Sequence, residues 1–113
     1  MPRRYDRLEM QFMVRLQLLP DNKWNIVVLR NIGKEGLLFT YDEPIPAGTC
    51  LNLCIHVPFR SGPIECEARV LRCELVPPHK IIHEVAVQFT RISALDSELI
   101  DRAAKGLKPS HGS

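Results

Sequence analysis

Leu51-Asn52-Leu53-Cys54-Ile55-His56-Val57 carries an apolar side chain on every second residue, with Asn52, Cys54 and His56 between them. A period of two fits a strand with one face on a core and one toward water, whereas a helix repeats its apolar residues every three or four positions. The same period recurs upstream, where Met10, Phe12, Val14, Leu16 and Leu18 alternate with positions that include Gln11, Arg15 and Gln17. Pro20-Asp21-Asn22 then supplies turn chemistry, and Trp24 to Arg30 reads as a second strand paired antiparallel to the first.

Leu37 to Tyr41 forms a third apolar strand, and Leu51 to Val57, stopped by Pro58, is the fourth. The fifth runs from Ile64 to about Val76. Its apolar phase moves from Ile64, Cys66, Ala68 and Val70 to Leu71, Cys73 and Leu75, a slip of one residue that predicts a bulge or a sharp bend near Val70. Pro77-Pro78 ends it, and Ile81 to Thr90 is a sixth strand with Val85, Val87 and Phe89 inward. Ser93 then caps a helix, with Asp96 three positions on and an apolar stripe of Leu95, Leu99, Ile100, Ala103, Ala104 and Leu107; Gly106 is the expected stop. Six short strands closed by one amphipathic helix predict an all-β barrel or sandwich, with the helix covering an open end or offering a contact surface.

The 113 residues suit one domain, and 45% hydrophobic with 25% charged residues is ordinary for a globular protein. We divide the chain into a flexible basic arm (1–9), a folded body (10–107) and a disordered tail (108–113). A net charge of +2 is too small to argue for wholesale nucleic-acid or membrane binding but leaves room for one basic patch. Arg3 and Arg4 resemble the start of a signal peptide, but Glu9, Gln11, Arg15 and Gln17 interrupt the run that follows. No stretch is long and apolar enough to insert in a bilayer, so a cytoplasmic location is expected. Cys50, Cys54, Cys66 and Cys73 lie within strand patterns and read as reduced thiols.

The chemistry-bearing residues argue against an enzyme or a metal protein. Cys50, Cys54 and His56 share a strand face but spread over about 20 Å, too far to surround one ion, and no Cys-x-x-Cys knuckle occurs. No thiol or hydroxyl sits in a recognisable nucleophile elbow, and no cofactor motif is present. A nucleic-acid-binding barrel would expose a row of stacking aromatics, whereas the seven aromatics here are scattered.

Two features remain. Arg3-Arg4-Tyr5-Asp6-Arg7 places three guanidinium groups in five residues ahead of the first strand, a side chain suited to gripping phosphate oxygens in pairs and to stacking on a flat ring. On its own such a segment is more commonly a solvated tail. Asn31-Ile32-Gly33-Lys34-Glu35-Gly36 is a tight connection between strands, whose glycines predict positive φ or close backbone approach and whose Asn31 can bond forward to the backbone.

Together these segments resemble the PilZ domain family of bacterial cyclic di-GMP receptors. The family's signature is Arg-x-x-x-Arg followed about twenty to thirty residues later by Asp/Asn-x-Ser-x-x-Gly. The first part stands at Arg3 and Arg7, the second at Asn31 and Gly36, with Gly33 where the family has serine. The resemblance continues through Gly36-Leu37-Leu38-Phe39, Pro46-Ala47-Gly48, Ala68-Arg69-Val70-Leu71-Arg72 and Val85-Ala86-Val87-Gln88-Phe89.

The resemblance implies a six-stranded antiparallel barrel with one C-terminal helix. It also implies a cyclic di-GMP site in which Arg3 and Arg7 hold phosphates and guanine faces, with Arg4 as a further contact. Asn31 and the backbone of the turn, with Gly33 and Gly36, would read a guanine edge. Arg69 and Arg72 are further candidates on the fifth strand. No cofactor is implied beyond the ligand, and Pro2 before the first arginine favours one ligand per chain. The expected partner is an unidentified downstream protein; a variant reading is an adaptor that has lost the ligand and works only by protein contact, through the helix from Ser93 to Leu107 or the Pro77-Pro78 loop.

Overall fold

A computed structural model describes residues 12–20, 22–57, 62–78 and 81–107. Six strands follow one another along the chain: β1 (Met13–Leu18), β2 (Trp24–Ile32), β3 (Gly36–Tyr41), β4 (Cys50–His56), β5 (Ile64–Leu75) and β6 (His83–Arg91). The helix α1 (Ala94–Leu107) comes last. The strands close into an antiparallel barrel in the order β1-β2-β3-β6-β5-β4, so every strand has two neighbours and no edge is left open.

Alternation along each strand builds the core. Val14 and Leu16 of β1, Leu51, Leu53 and Ile55 of β4, Ile64 and Val70 of β5 and Val85 of β6 are fully buried around Phe39 of β3. The expected first hairpin forms, with Val14 opposite Val27 and Leu16 opposite Asn25. The β3–β4 connection turns at Gly48, whose φ of +92° is reached readily by glycine alone. Its N–H donates to the Val70 carbonyl at 2.8 Å, and the Val70 N–H donates to the Thr49 carbonyl at 2.9 Å, which sews this loop to the middle of β5.

Three strands contain an extra residue, the one in β6 being Thr90, skipped between Ala68 opposite Phe89 and Glu67 opposite Arg91. In β5 the register steps from Val70 opposite Val87 to Arg72 opposite Ala86, which leaves Leu71 as a bulge where the phase slip predicts one. Leu71 is therefore 54% exposed, although its place in the apolar pattern predicts an inward side chain, and Leu75 is exposed too. In β2 the register steps from Leu29 opposite Phe39 to Asn31 opposite Leu38, which makes Arg30 a bulge residue as well. The buried positions accordingly run Val27, Leu29, Ile32.

The Ser93 Oγ accepts the Asp96 N–H at 3.0 Å, the expected cap of α1. Ser97, Ile100 and Ala104 form its buried face, and Leu99 and Ala103 pack partly against the core. Leu95, placed in the apolar stripe by its spacing, is instead 70% exposed. The helix extends through Gly106 to Leu107.

Candidate functional site

The turn between β2 and β3 is held by the backbone on three sides. The Gly33 N–H donates to the Gly36 carbonyl at 2.9 Å, and the Phe89 N–H of β6 donates to the Glu35 carbonyl at 2.8 Å. From α1, the Ser97 hydroxyl donates to the Lys34 carbonyl at 3.0 Å, and Lys34 Nζ lies 3.5 Å from Glu98 Oε2. That ion pair is exposed and contributes little; the bond from the buried Ser97 is the stronger tie.

The two glycines serve different ends. A Cβ at Gly36 would fall on the Val87 carbonyl oxygen and come within 3.1 Å of the Gln88 Cα, so β3 can begin against β6 only because this residue has no side chain. A Cβ at Gly33 would meet nothing within 4 Å. The Gly33 N–H is already engaged inside the turn, so it does not stand in for a serine hydroxyl. Asn31 bonds forward, as its position predicts, its Oδ1 accepting the Ile32 N–H at 2.9 Å.

Beside this turn lies a surface cleft of about 580 Å³, a size common for small-molecule sites. Its floor follows from the strand registers. Asn31 of β2 pairs with Leu38 of β3, Leu38 with Ala86 of β6, and Ala86 with Arg72 of β5, a single outward row across four strands. All four residues line the cleft. Leu38 and Ala86 give it a half-buried apolar floor that can receive the face of a flat ring, while Arg72 and Asn31 supply polar groups at its ends. The bulge in β5 presents Leu71 beside Arg72 instead of turning it inward, which adds an apolar wall. The neighbouring row is Gly36, Gln88 and Arg69.

Asn31, Gly33 and Gly36 are thus brought together, and Arg72 joins them from a distant part of the chain. Arg69 is exposed one row away and does not line the cleft. Arg3, Arg4 and Arg7 lie outside the described residues. Leu38, Ala86, Leu71 and Gln88 were not singled out by sequence reasoning. Only Leu71 had a signal, the phase slip at Val70.

The four cysteines carry free thiols. Burial pushes the Cys66 thiol up to about 12, with lesser contributions from Asp96, Cys54 and Glu67. Burial also raises Cys54, whose Sγ lies 4.0 Å from His56 Nε2. Among the described residues no three metal-ligating side chains gather at one point. No helix among them is long and apolar enough to cross a membrane.

Comparison with known proteins bears on the family and the fold. The family model for the PilZ domain matches residues 2–106. Among solved structures, the Bacillus subtilis inhibitor of motility (MotI/DgrA) superposes with a TM-score of 0.70 over 87% of this chain at 20% identity. The match spans 47% of that protein, about half its length. No curated protein sequence matches the chain significantly.

Proposed function

Because the chain belongs to the PilZ domain family, we propose that it is a receptor for cyclic di-GMP and holds one ligand per chain in the cleft beside the β2–β3 turn. The observation that carries this reading is the row Asn31, Leu38, Ala86, Arg72, which brings the family's turn residue and a guanidinium to the two ends of one apolar floor. A purine ring has an apolar face for Leu38 and Ala86 and a hydrogen-bonding edge for Asn31. A phosphate takes paired N–H donors from Arg72.

In this reading Arg3 and Arg7, with Arg4, close over the ligand from the other side and add charge-assisted bonds to its phosphates. An arm that becomes ordered on binding changes the surface a downstream protein meets, so the signal leaves the domain as a contact, without catalysis, in the cytoplasm. The Bacillus protein of the same fold is an inhibitor of motility, which agrees with a regulator that acts by binding.

The test is calorimetric or NMR titration with cyclic di-GMP, with Arg3→Ala, Arg7→Ala and Asn31→Ala as controls. Saturable binding that weakens in all three supports the receptor; no binding at tens of micromolar ligand sinks it. Gly33 favours one other reading, an adaptor of the same fold that works by protein contact alone, since the residue offers no hydroxyl and its N–H is engaged within the turn.

A further inference from the structure

The outer face of β2 is apolar where a barrel wall normally meets water. Trp24, Ile26 and Val28 project outward in succession and are 44%, 69% and 49% exposed. Exposed Met13 lies beside them on β1. Three apolar side chains in line on a convex strand make a crest, and contiguous exposed apolar surface of this kind marks a contact site. The crest lies on the far side of the β2 bulge from the cleft, and none of its residues lines the cleft.

The charges beside the crest indicate its occupant. Arg15 of β1 pairs with Ile26 on one side. On the other side β3 ends at Tyr41, and its register with β2, in which Val28 faces Thr40, continued by two residues sets Asp42 beside Ile26. Asp42, Ile26 and Val28 line one shallow depression. Arg15 and Asp42 are both exposed, and neither has an ion-pair partner among the described residues.

An arginine and an aspartate flanking one apolar residue form a self-complementary arrangement. A two-fold axis running along β2 exchanges left and right, so each Arg15 faces the other copy's Asp42 while Ile26 meets Ile26. A two-fold axis across the strand would instead set arginine on arginine, which the like charges disfavour.

We infer that β2 is the contact strand of a homodimer, with its two-fold axis parallel to the strand and two Arg15–Asp42 ion pairs closing the sides of an apolar seam. The seam is one strand wide, well under the roughly 1,600 Å² of a standard interface, so the dissociation constant is expected at about 10–100 µM.

Sedimentation and light scattering over a concentration series test this, with circular dichroism to verify that each variant is folded. The wild type should dimerise across that range, and Ile26→Glu should remain monomeric. Arg15→Asp and Asp42→Arg each turn both ion pairs into like-charge contacts and should weaken self-association about tenfold or more. Mixed together, the two variants regain complementary charges and should form a heterodimer of near wild-type affinity. A wild type that stays monomeric at about 1 mM overturns the proposal, whether the crest is then covered by the chain's own terminal residues or by another protein. An Ile26→Glu variant that still dimerises, or a mixture that associates no better than either variant alone, also overturns it.

Discussion

Asn31 and Arg72 stand at the two ends of one lateral row, joined by strand pairing through Leu38 and Ala86. Three strand spacings separate their backbones, about 14 Å, and the intervening ladder fixes that span whether or not a ligand is present. Replacing Arg72 by alanine should reduce cyclic di-GMP affinity about 10- to 100-fold, the range for losing a charge-assisted bond. Asn31→Ala should cost about fivefold. Arg69→Ala, one row away, should change affinity less than about twofold, and isothermal titration of the three variants checks the order.

Gly33→Ser should be accepted by the fold. A Cβ there meets no atom within 4 Å, so the thermal midpoint should stay within a few degrees of the wild type. The added hydroxyl restores the family's donor and acceptor at the turn, and one neutral hydrogen bond of about 1 kcal/mol corresponds to roughly fivefold tighter ligand binding. Titration of this variant also separates the receptor from the adaptor that binds no ligand.

Gly36→Ala should behave in the opposite way. The new methyl falls on the Val87 carbonyl oxygen within a backbone ladder that cannot give way locally. A loss of about 3 kcal/mol is expected, visible as a fall of at least ~10 °C in the melting temperature.

Ser97→Ala removes the hydroxyl that donates from α1 to the Lys34 carbonyl. The cost should be about 1–2 kcal/mol, and amide exchange should quicken in residues 33–36 before it does in the barrel strands.

The Cys66 thiol adds a pH dependence of definite sign. Its pKa is pushed up to about 12 from 9.0 by burial, so between those values the unfolded chain gives up a proton that the folded chain retains. The unfolded state then binds fewer protons, and stability falls as pH rises above about 9, by at most ~1.4 kcal/mol per pH unit. Below pH 9 this group should have no effect. Denaturant midpoints measured from pH 8 to 11 should therefore decline more steeply for the wild type than for Cys66→Ala.

Strand positions, the first hairpin, the β5 bulge and the cap at Ser93 were legible because each follows from local periodicity or a turn residue. The closed order β1-β2-β3-β6-β5-β4 was not, since alternation in Leu51 to Val57 says which side chains point inward but not which strand lies beside it. The site divides the same way. Asn31 and Gly36 stood out through their motif spacing, whereas Leu38 and Ala86 carry no local mark and belong to the cleft only because long-range pairing aligns them with Arg72. Leu95 misled because its spacing matches the helix stripe, although in the structure it faces solvent.

The bulges of β2 and β5 separate what this barrel needs from what it presents. With Arg30 left out, Leu29, Asn31 and Ile32 would alternate inward, outward, inward; with Leu71 left out, Val70, Arg72 and Cys73 would do the same. The core pattern is complete without either residue, so each leaves the interior unchanged and adds only to the outside, a cation beside Asn31 and an apolar side chain beside Arg72. A residue added or removed at either point would change the outer wall of the barrel and leave the packing that folds it as it was.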